Sequence, residues 1–147
     1  MPDIKPIPDG YTAITPYLIV ENAAGFIDFL ASAFGAAERL RVPMPQGGIG
    51  HAEVEIGGAV LMLADAAPPA FPPTSSLIHL YVTDVDSVYA QALQAGAVSE
   101  EAPSDMFYGD RLGRITDPFG NHWSIATHIE DLTPDELATR LADMENG

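Results

Sequence analysis

The strongest constraint on this chain is that it repeats itself. Tyr17-Leu18-Ile19-Val20-Glu21-Asn22 returns in form as His79-Leu80-Tyr81-Val82-Thr83-Asp84, 62 positions later. Gly58-Ala59-Val60-Leu61-Met62-Leu63-Ala64 returns at the same distance as Gly120-Asn121-His122-Trp123-Ser124-Ile125-Ala126. Two blocks in one register mark a duplicated structural unit. If the halves fold alike and face each other, a ligand site is expected in the cleft they jointly enclose, with corresponding positions of both lining it.

Each copy reads as βαβββ. Apolar and polar residues alternate from Ile14 to Val20, the signal of a half-buried strand, and Pro16 places it at an edge or a strand end. Asn22 suits a helix N-cap, Phe26, Ile27, Phe29, Leu30 and Phe34 make an apolar stripe, and Gly35 supplies the stop. Strands are expected over 38–44, 50–56 and 59–64, turning at Gly47-Gly48 and Gly57-Gly58. In the second copy 77–83 reads as a strand, Asp84 caps a helix ending at Gly96, and strands follow around Val98, over 111–116 and over 122–127. The chain thus divides into an extended arm (1–10), a first module (11–66), a Pro-rich linker (67–76), a second module (77–128) and a tail (129–147). Thr133-Pro134-Asp135-Glu136 opens a short helix there to about Met144, with Leu137 and Leu141 as an apolar edge to dock on the domain body or, as the alternative, against another subunit.

Composition removes several classes of function. Of 147 residues 47% are hydrophobic, enough for a substantial core, and no run approaches the ~20 apolar residues of a spanning helix. No secretory leader is read, so a cytosolic protein is expected. With no cysteine there are no disulfides, thiolate metal sites or thiol nucleophiles. Six Lys and Arg against 21 Asp and Glu leave a formal charge of −15, which repels nucleic acid and anionic membranes alike.

The tandem βαβββ pattern, with YLIVENA, HLYVTDVD, YGDRLGRITDPFGNHWSIATH and EDLTPDEL, resembles the vicinal oxygen chelate superfamily over about residues 11–137. That superfamily includes glyoxalase I, extradiol dioxygenases and bleomycin-resistance proteins, and the chain is most similar to its PhnB-like subgroup. The resemblance implies an α+β fold in which curved mixed sheets form a cup with the helices outside, and it implies a homodimer. Strand parity then sorts the residues. Leu18, Val20, Ala52, Val54, Ile56, Leu61, Leu63, Ile78, Leu80, Val82, Trp123 and Ile125 are expected toward the helices. Thr15, Tyr17, Met62, Leu77, His79, Tyr81, His122 and Ser124 are left to line the cup, and His51, Glu53 and Glu55 point to it or to its rim.

In metal-dependent relatives the ligands lie five residues before the Val of each first strand and four after the Gly of each last one. Those positions are Thr15, Leu77, Met62 and Ser124 here, a set without imidazole or carboxylate. The expectation is a metal-free cup that binds a small organic molecule. The alternative is a lyase, isomerase or dioxygenase with a displaced divalent ion such as Zn, Fe or Mn held by His51, Glu53 and His79.

Single residues carry competing readings. His79 is a candidate general base or ligand holder, or a neutral imidazole hydrogen-bonded to Tyr17 or Tyr81. His122 reads as a hairpin-rim or solvent-facing residue and His128 as a strand end. Glu53 and Glu55 read as surface glutamates or as bases against an apolar wall. Arg111 reads as a clamp for a ligand carboxylate or as the partner of Asp110 or Asp117. Trp123 is read as packing rather than as a stacking platform. Gly47-Gly48-Ile49-Gly50 lacks the lysine and helix start of a phosphate loop.

Overall fold

The computed structural model describes residues 3–146. Residues 3–16 form no regular element, and β1 (Tyr17–Val20) starts only after Pro16. The expected earlier start at Ile14 is corrected: Ile14 is 86% exposed and lies outside the sheet. Alternation continued past Pro16 in the sequence, but proline has no N–H for a ladder, and regular pairing begins beyond it.

Asn22 caps α1 (Ala23–Phe34) by accepting from Gly25 N at 3.0 Å, and Gly35 ends it at φ 70°, a conformation that favours glycine. The stripe of α1 buries Phe26, Ile27, Phe29, Leu30 and Ala33; each large one contributes about 1.5–3 kcal/mol. Three strands follow, β2 (Ala37–Pro43), β3 (Ile49–Ile56) and β4 (Ala59–Asp65), and the first sheet has the order β1-β4-β3-β2. β1 runs parallel to β4, and the other pairs are antiparallel.

The second module repeats this plan with β5 (Leu77–Tyr81), α2 (Val85–Gln94), β6 (Val98–Asp105), β7 (Asp110–Thr116) and β8 (His122–His128), in the order β5-β8-β7-β6. Equivalent positions do equivalent work even where the residue changed. Asp65 Oδ1 accepts from Ala23 N at 2.7 Å, pinning the start of α1 to β4; 62 residues on, Thr127 Oγ1 accepts from Val85 N at 2.9 Å and pins α2 to β8. Asp84 caps α2 as Asn22 caps α1. The tail helix α3 (Pro134–Asn146) does stand on its own domain, through Arg140 rather than through its leucines. Arg140 donates to Glu130 at 2.9 Å and to Phe107 O at 3.0 Å, and no residue of α3 is buried.

Each sheet has one covered and one open face, sorted as parity dictates. Leu18, Val20, Ala52, Val54, Ile56, Leu61 and Leu63 lie under α1, and Trp123 and Ile125 lie on the covered side of the second sheet. The modules meet through these covered sides. Gln91 Nε2 on α2 donates to Ser32 O and Ala33 O at the end of α1, Phe34 stacks 4.6 Å from Trp123, and Phe26 lies 5.2 Å from Phe119. One core therefore spans both modules. The expected cleft between halves that face each other is corrected accordingly: within one chain it is the helices that meet, and the two open faces do not close on one another. Helix and sheet burial won that contest because both covered faces are continuously apolar.

Candidate functional site

The open face of the first sheet carries Tyr17 and Ile19 from β1, Met62 and Ala64 from β4, His51 and Glu53 from β3, and Leu40 and Val42 from β2; Leu40 lies opposite Glu53 and Val42 opposite His51. At one end of this face the linker folds back, with Ala67 and Phe71 bridged and Thr74 bonded to Ile19. Linker and sheet enclose a cavity of about 590 Å³ lined by Tyr17, Ile19, Met44, Gly50, Ala64, Asp65, Ala67 and Phe71. Its walls are mostly apolar. The Asp65 carboxylate is held by Ala23 N and Ile49 N, one donor to each oxygen, and Tyr17 is the other lining residue with a polar side chain.

The N-terminal arm covers the other end. Tyr11 donates its hydroxyl to Glu53, the Arg39 guanidinium stands 5.1 Å above the Tyr11 ring, and a smaller cavity of about 250 Å³ lies between the arm and Thr15, Glu53 and Met62. Glu53 is consequently only 7% exposed, while Glu55 is exposed and paired with Arg39 at 3.8 Å. The reading of both as surface glutamates is thus corrected for Glu53. His51 donates from Nε2 to the Glu53 carboxylate at 2.7 Å, and its Nδ1 stands 3.0 Å from the Tyr17 hydroxyl.

On the open face of the second sheet are Leu77, His79 and Tyr81 of β5, with His122, Ser124 and Ala126 beside them on β8. Leu77 is 72% and Tyr81 58% exposed. His79 is stacked 4.7 Å from the Tyr81 ring, whose hydroxyl instead donates to Asp110 at 2.8 Å. That bond, with burial second, holds the Tyr81 phenol above its usual range, so it acts as a donor and not as a base. Asp110 also takes His128 Nδ1 at 2.8 Å, and His128 Nε2 meets Asp131 at 2.8 Å; these two carboxylates push the imidazole up from its ordinary value. His122 Nδ1 lies 2.6 Å from Glu100 on the open face.

Arg111 is not free to clamp a ligand, nor does it pair with Asp110 or Asp117. It bonds Asp86 on α2 and Asp105 on β6, each at 3.0 Å, because its parity faces the helix while Asp110 faces the other way. Arg114, three residues further along the strand, lies on the open face in register with Ser124. Among the described residues it is the one Lys or Arg without an ion pair. Strand parity alone would have found it, since an offset of three switches faces. Tyr11, Met44 and Phe71 were missed as well, and they carried no periodic signal because they lie outside the strands.

The structure does not bring the proposed metal set together. His51 and Glu53 are bonded on the first sheet with both ring nitrogens and both carboxylate oxygens engaged, and His79 stands on the second. Thr15, Met62, Leu77 and Ser124 offer no imidazole or carboxylate, so these residues do not fit a resident divalent ion in this chain.

The duplicated βαβββ unit, with one helix-covered and one open face to each sheet, defines a glyoxalase-type fold. The chain belongs to the glyoxalase/bleomycin resistance protein/dioxygenase superfamily, whose family model matches residues 10–125. An uncharacterized protein of Mycobacterium bovis is 40% identical over 145 residues, covering 92% of this chain and 95% of its own. TioX from Micromonospora sp. ML1 is similar in structure with a TM-score of 0.69 at 26% identity, covering 80% of this chain and 99% of its own. TnmS3, an antibiotic binding protein from Streptomyces sp. CB03234, shares the fold with a TM-score of 0.63 at 23% identity over 80% of this chain and 98% of its own. No helix among the described residues is long and apolar enough to cross a membrane.

Proposed function

We propose that this is a cytosolic, homodimeric binding protein that holds a small, largely apolar organic molecule without a metal. One wall is the open face of the first sheet, with Tyr17 and Met62 and with Thr15 of the preceding arm beside them; the other is the open face of a second copy's second sheet, with Leu77, His79, Tyr81, His122 and Ser124. The observation that carries this reading is the apolar cavity of about 590 Å³ on an open sheet face, a size suited to a small molecule. The antibiotic-binding neighbour lends it support. The second copy is supported by the exposure of Leu77 and Tyr81, and by β5 itself, which among the described residues pairs with β8 on one side and with no strand on the other.

Two experiments test it. Light scattering at tens of micromolar should return twice the 15.6 kDa chain mass, and a monomer refutes the dimer. Calorimetric titration with a panel of neutral aromatic compounds should find binders, and Ala64→Trp, which fills the cavity from its wall, should weaken them at least tenfold with the melting temperature held within a few degrees. Failure of every compound at millimolar concentration, or unchanged binding by Ala64→Trp, refutes the site.

A further inference from the structure

We propose that Glu53, His51 and Tyr17 form a proton relay through which the open face of the first module takes an acidic hydroxyl of its ligand, a phenol or an enol, as the anion. This rests on the ligand-binding reading above and names the chemistry of the group recognised.

The relay follows from the hydrogen bonds. Glu53 is buried beneath Tyr11, whose hydroxyl supplies one donor to the carboxylate. His51 supplies the other from Nε2, at 2.7 Å. A proton on Nε2 leaves Nδ1 of the neutral ring as an acceptor, so the Tyr17 hydroxyl, 3.0 Å away, is the donor there. The residue opposite His51 on β2 is the apolar Val42, and Glu53 is the charged group hydrogen-bonded to the ring. The order carboxylate, imidazole, hydroxyl is that of a nucleophilic triad, here ending on a phenol at a cavity wall.

Tyr17 donates its hydrogen bond to His51 and keeps its oxygen lone pairs free to accept. It is 44% exposed and borders the cavity, so a ligand hydroxyl in that cavity can donate to it. The ligand O–H bond then breaks as its proton passes to Tyr17 Oη, while the proton Tyr17 carried passes to His51 Nδ1. Tyr17 is regenerated neutral, the ligand becomes an anion, and the imidazolium stands against the Glu53 carboxylate at 2.7 Å. Atoms and charge balance, so the anion is admitted without adding to the chain's formal charge of −15. The transfer needs a hydroxyl more acidic than the Tyr17 phenol that passes the proton on, which selects phenols and enols carrying electron-withdrawing groups and excludes simple alcohols. The apolar walls formed by Ile19, Met44, Ala64 and Phe71 favour an aromatic carrier of that hydroxyl.

The test uses 4-nitrophenol, whose anion is yellow and whose neutral form is not. One pH unit below the probe's own pKa, about a tenth of it is ionised in free solution. With the intact chain the bound probe should be mainly yellow, a rise of about fivefold or more in its ionised fraction. His51→Gln, Glu53→Gln and Tyr17→Phe should still bind the probe, with the yellow fraction falling back to that of free solution or below. Should Glu53→Gln fail to fold, the other two variants carry the comparison, with melting temperature as the check. Probe bound colourless by the intact chain overturns the relay. So does probe that stays yellow on His51→Gln, since another cation such as Arg114 would then hold the anion. Absence of probe binding at millimolar concentration overturns the relay too, while neutral aromatics and Ala64→Trp judge the cavity reading separately.

Discussion

Asp117 is a residue whose removal the fold should feel strongly, at a cost set by three hydrogen bonds. It opens the Asp117-Pro118-Phe119-Gly120 turn and is buried. Oδ1 accepts from Phe119 N at 2.8 Å and Asn121 N at 3.0 Å, while Oδ2 accepts from the Trp123 indole at 2.9 Å. Asn121 and Trp123 are wholly enclosed, so in Asp117→Ala two donors lose their acceptor where water cannot replace it. At about 1–3 kcal/mol for each stranded donor, and less for the half-buried Phe119 N–H, the expected loss is about 3–5 kcal/mol. For a domain of this size that is a fall in melting temperature of roughly 8–16 °C. Asp117→Asn should cost less, about 2 kcal/mol, by keeping Oδ1 for the backbone while facing the indole with a second donor. Denaturant unfolding at fixed protein concentration measures both. A double-mutant cycle with Trp123→Phe should return a coupling of about 1.5–3 kcal/mol. A loss below about 1 kcal/mol for Asp117→Ala, or no coupling, refutes the assignment of the carboxylate as the organiser of the turn.

Three further outcomes are expected. His128 sits above its ordinary pKa because of Asp110 and then Asp131. Its contribution to stability is therefore complete below about pH 6.5 and lost as pH rises through the folded-state value, and denaturation midpoints across that window should show a decline that His128→Gln abolishes. Gly113 lies under α2, where an added Cβ would stand 2.9 Å from Tyr89 and 3.0 Å from Pro103; Gly113→Ala should cost about 1–3 kcal/mol by calorimetric melting, and a neutral result would mean that α2 rides higher on the sheet. Leu77→Asp should leave the monomer folded, since Leu77 is largely exposed, yet dissociate the dimer and abolish ligand binding together in light scattering and calorimetry. A monomeric variant that still binds like the parent would refute a site shared between two copies.

What could be read from the sequence was what is local and periodic. The caps at Asn22 and Asp84, the spacing of 62 and the division of Leu18, Val20, Leu61 and Leu63 from Tyr17 and Met62 all follow from hydrogen-bonding chemistry and the period of a strand. What could not be read depends on distant partners. Glu53 alternates with His51 and Glu55 like any solvent-facing acid. Its burial comes from Tyr11, 42 residues away on an arm with no pattern of its own. Arg111 has acids next to it in sequence, but the helix above it brings Asp86 from 25 residues away. The direction in which the two modules meet was equally hidden, because parity says which face of a strand is apolar and not which apolar faces will find each other.

That last point explains why the fold can be strongly specified while its chemistry is free to change. The common core lies between the helix-covered sides, where Phe34, Trp123, Phe26 and Phe119 tie one module to the other. Residues on the open faces have no part in that junction. Positions that serve the core therefore keep their function across the duplication, as Asp65 and Thr127 do in holding the helix starts, even when the residue differs. Positions on the open faces show no such correspondence: Tyr17 answers to His79, Met62 to Ser124 and Thr15 to Leu77. The two open faces have thus become chemically unlike, one with an apolar cavity and a Tyr–His–Glu relay, the other with a stacked histidine and the unpaired Arg114. A cup assembled from one face of each kind would present its ligand with two different walls, which a pair of identical faces could not do.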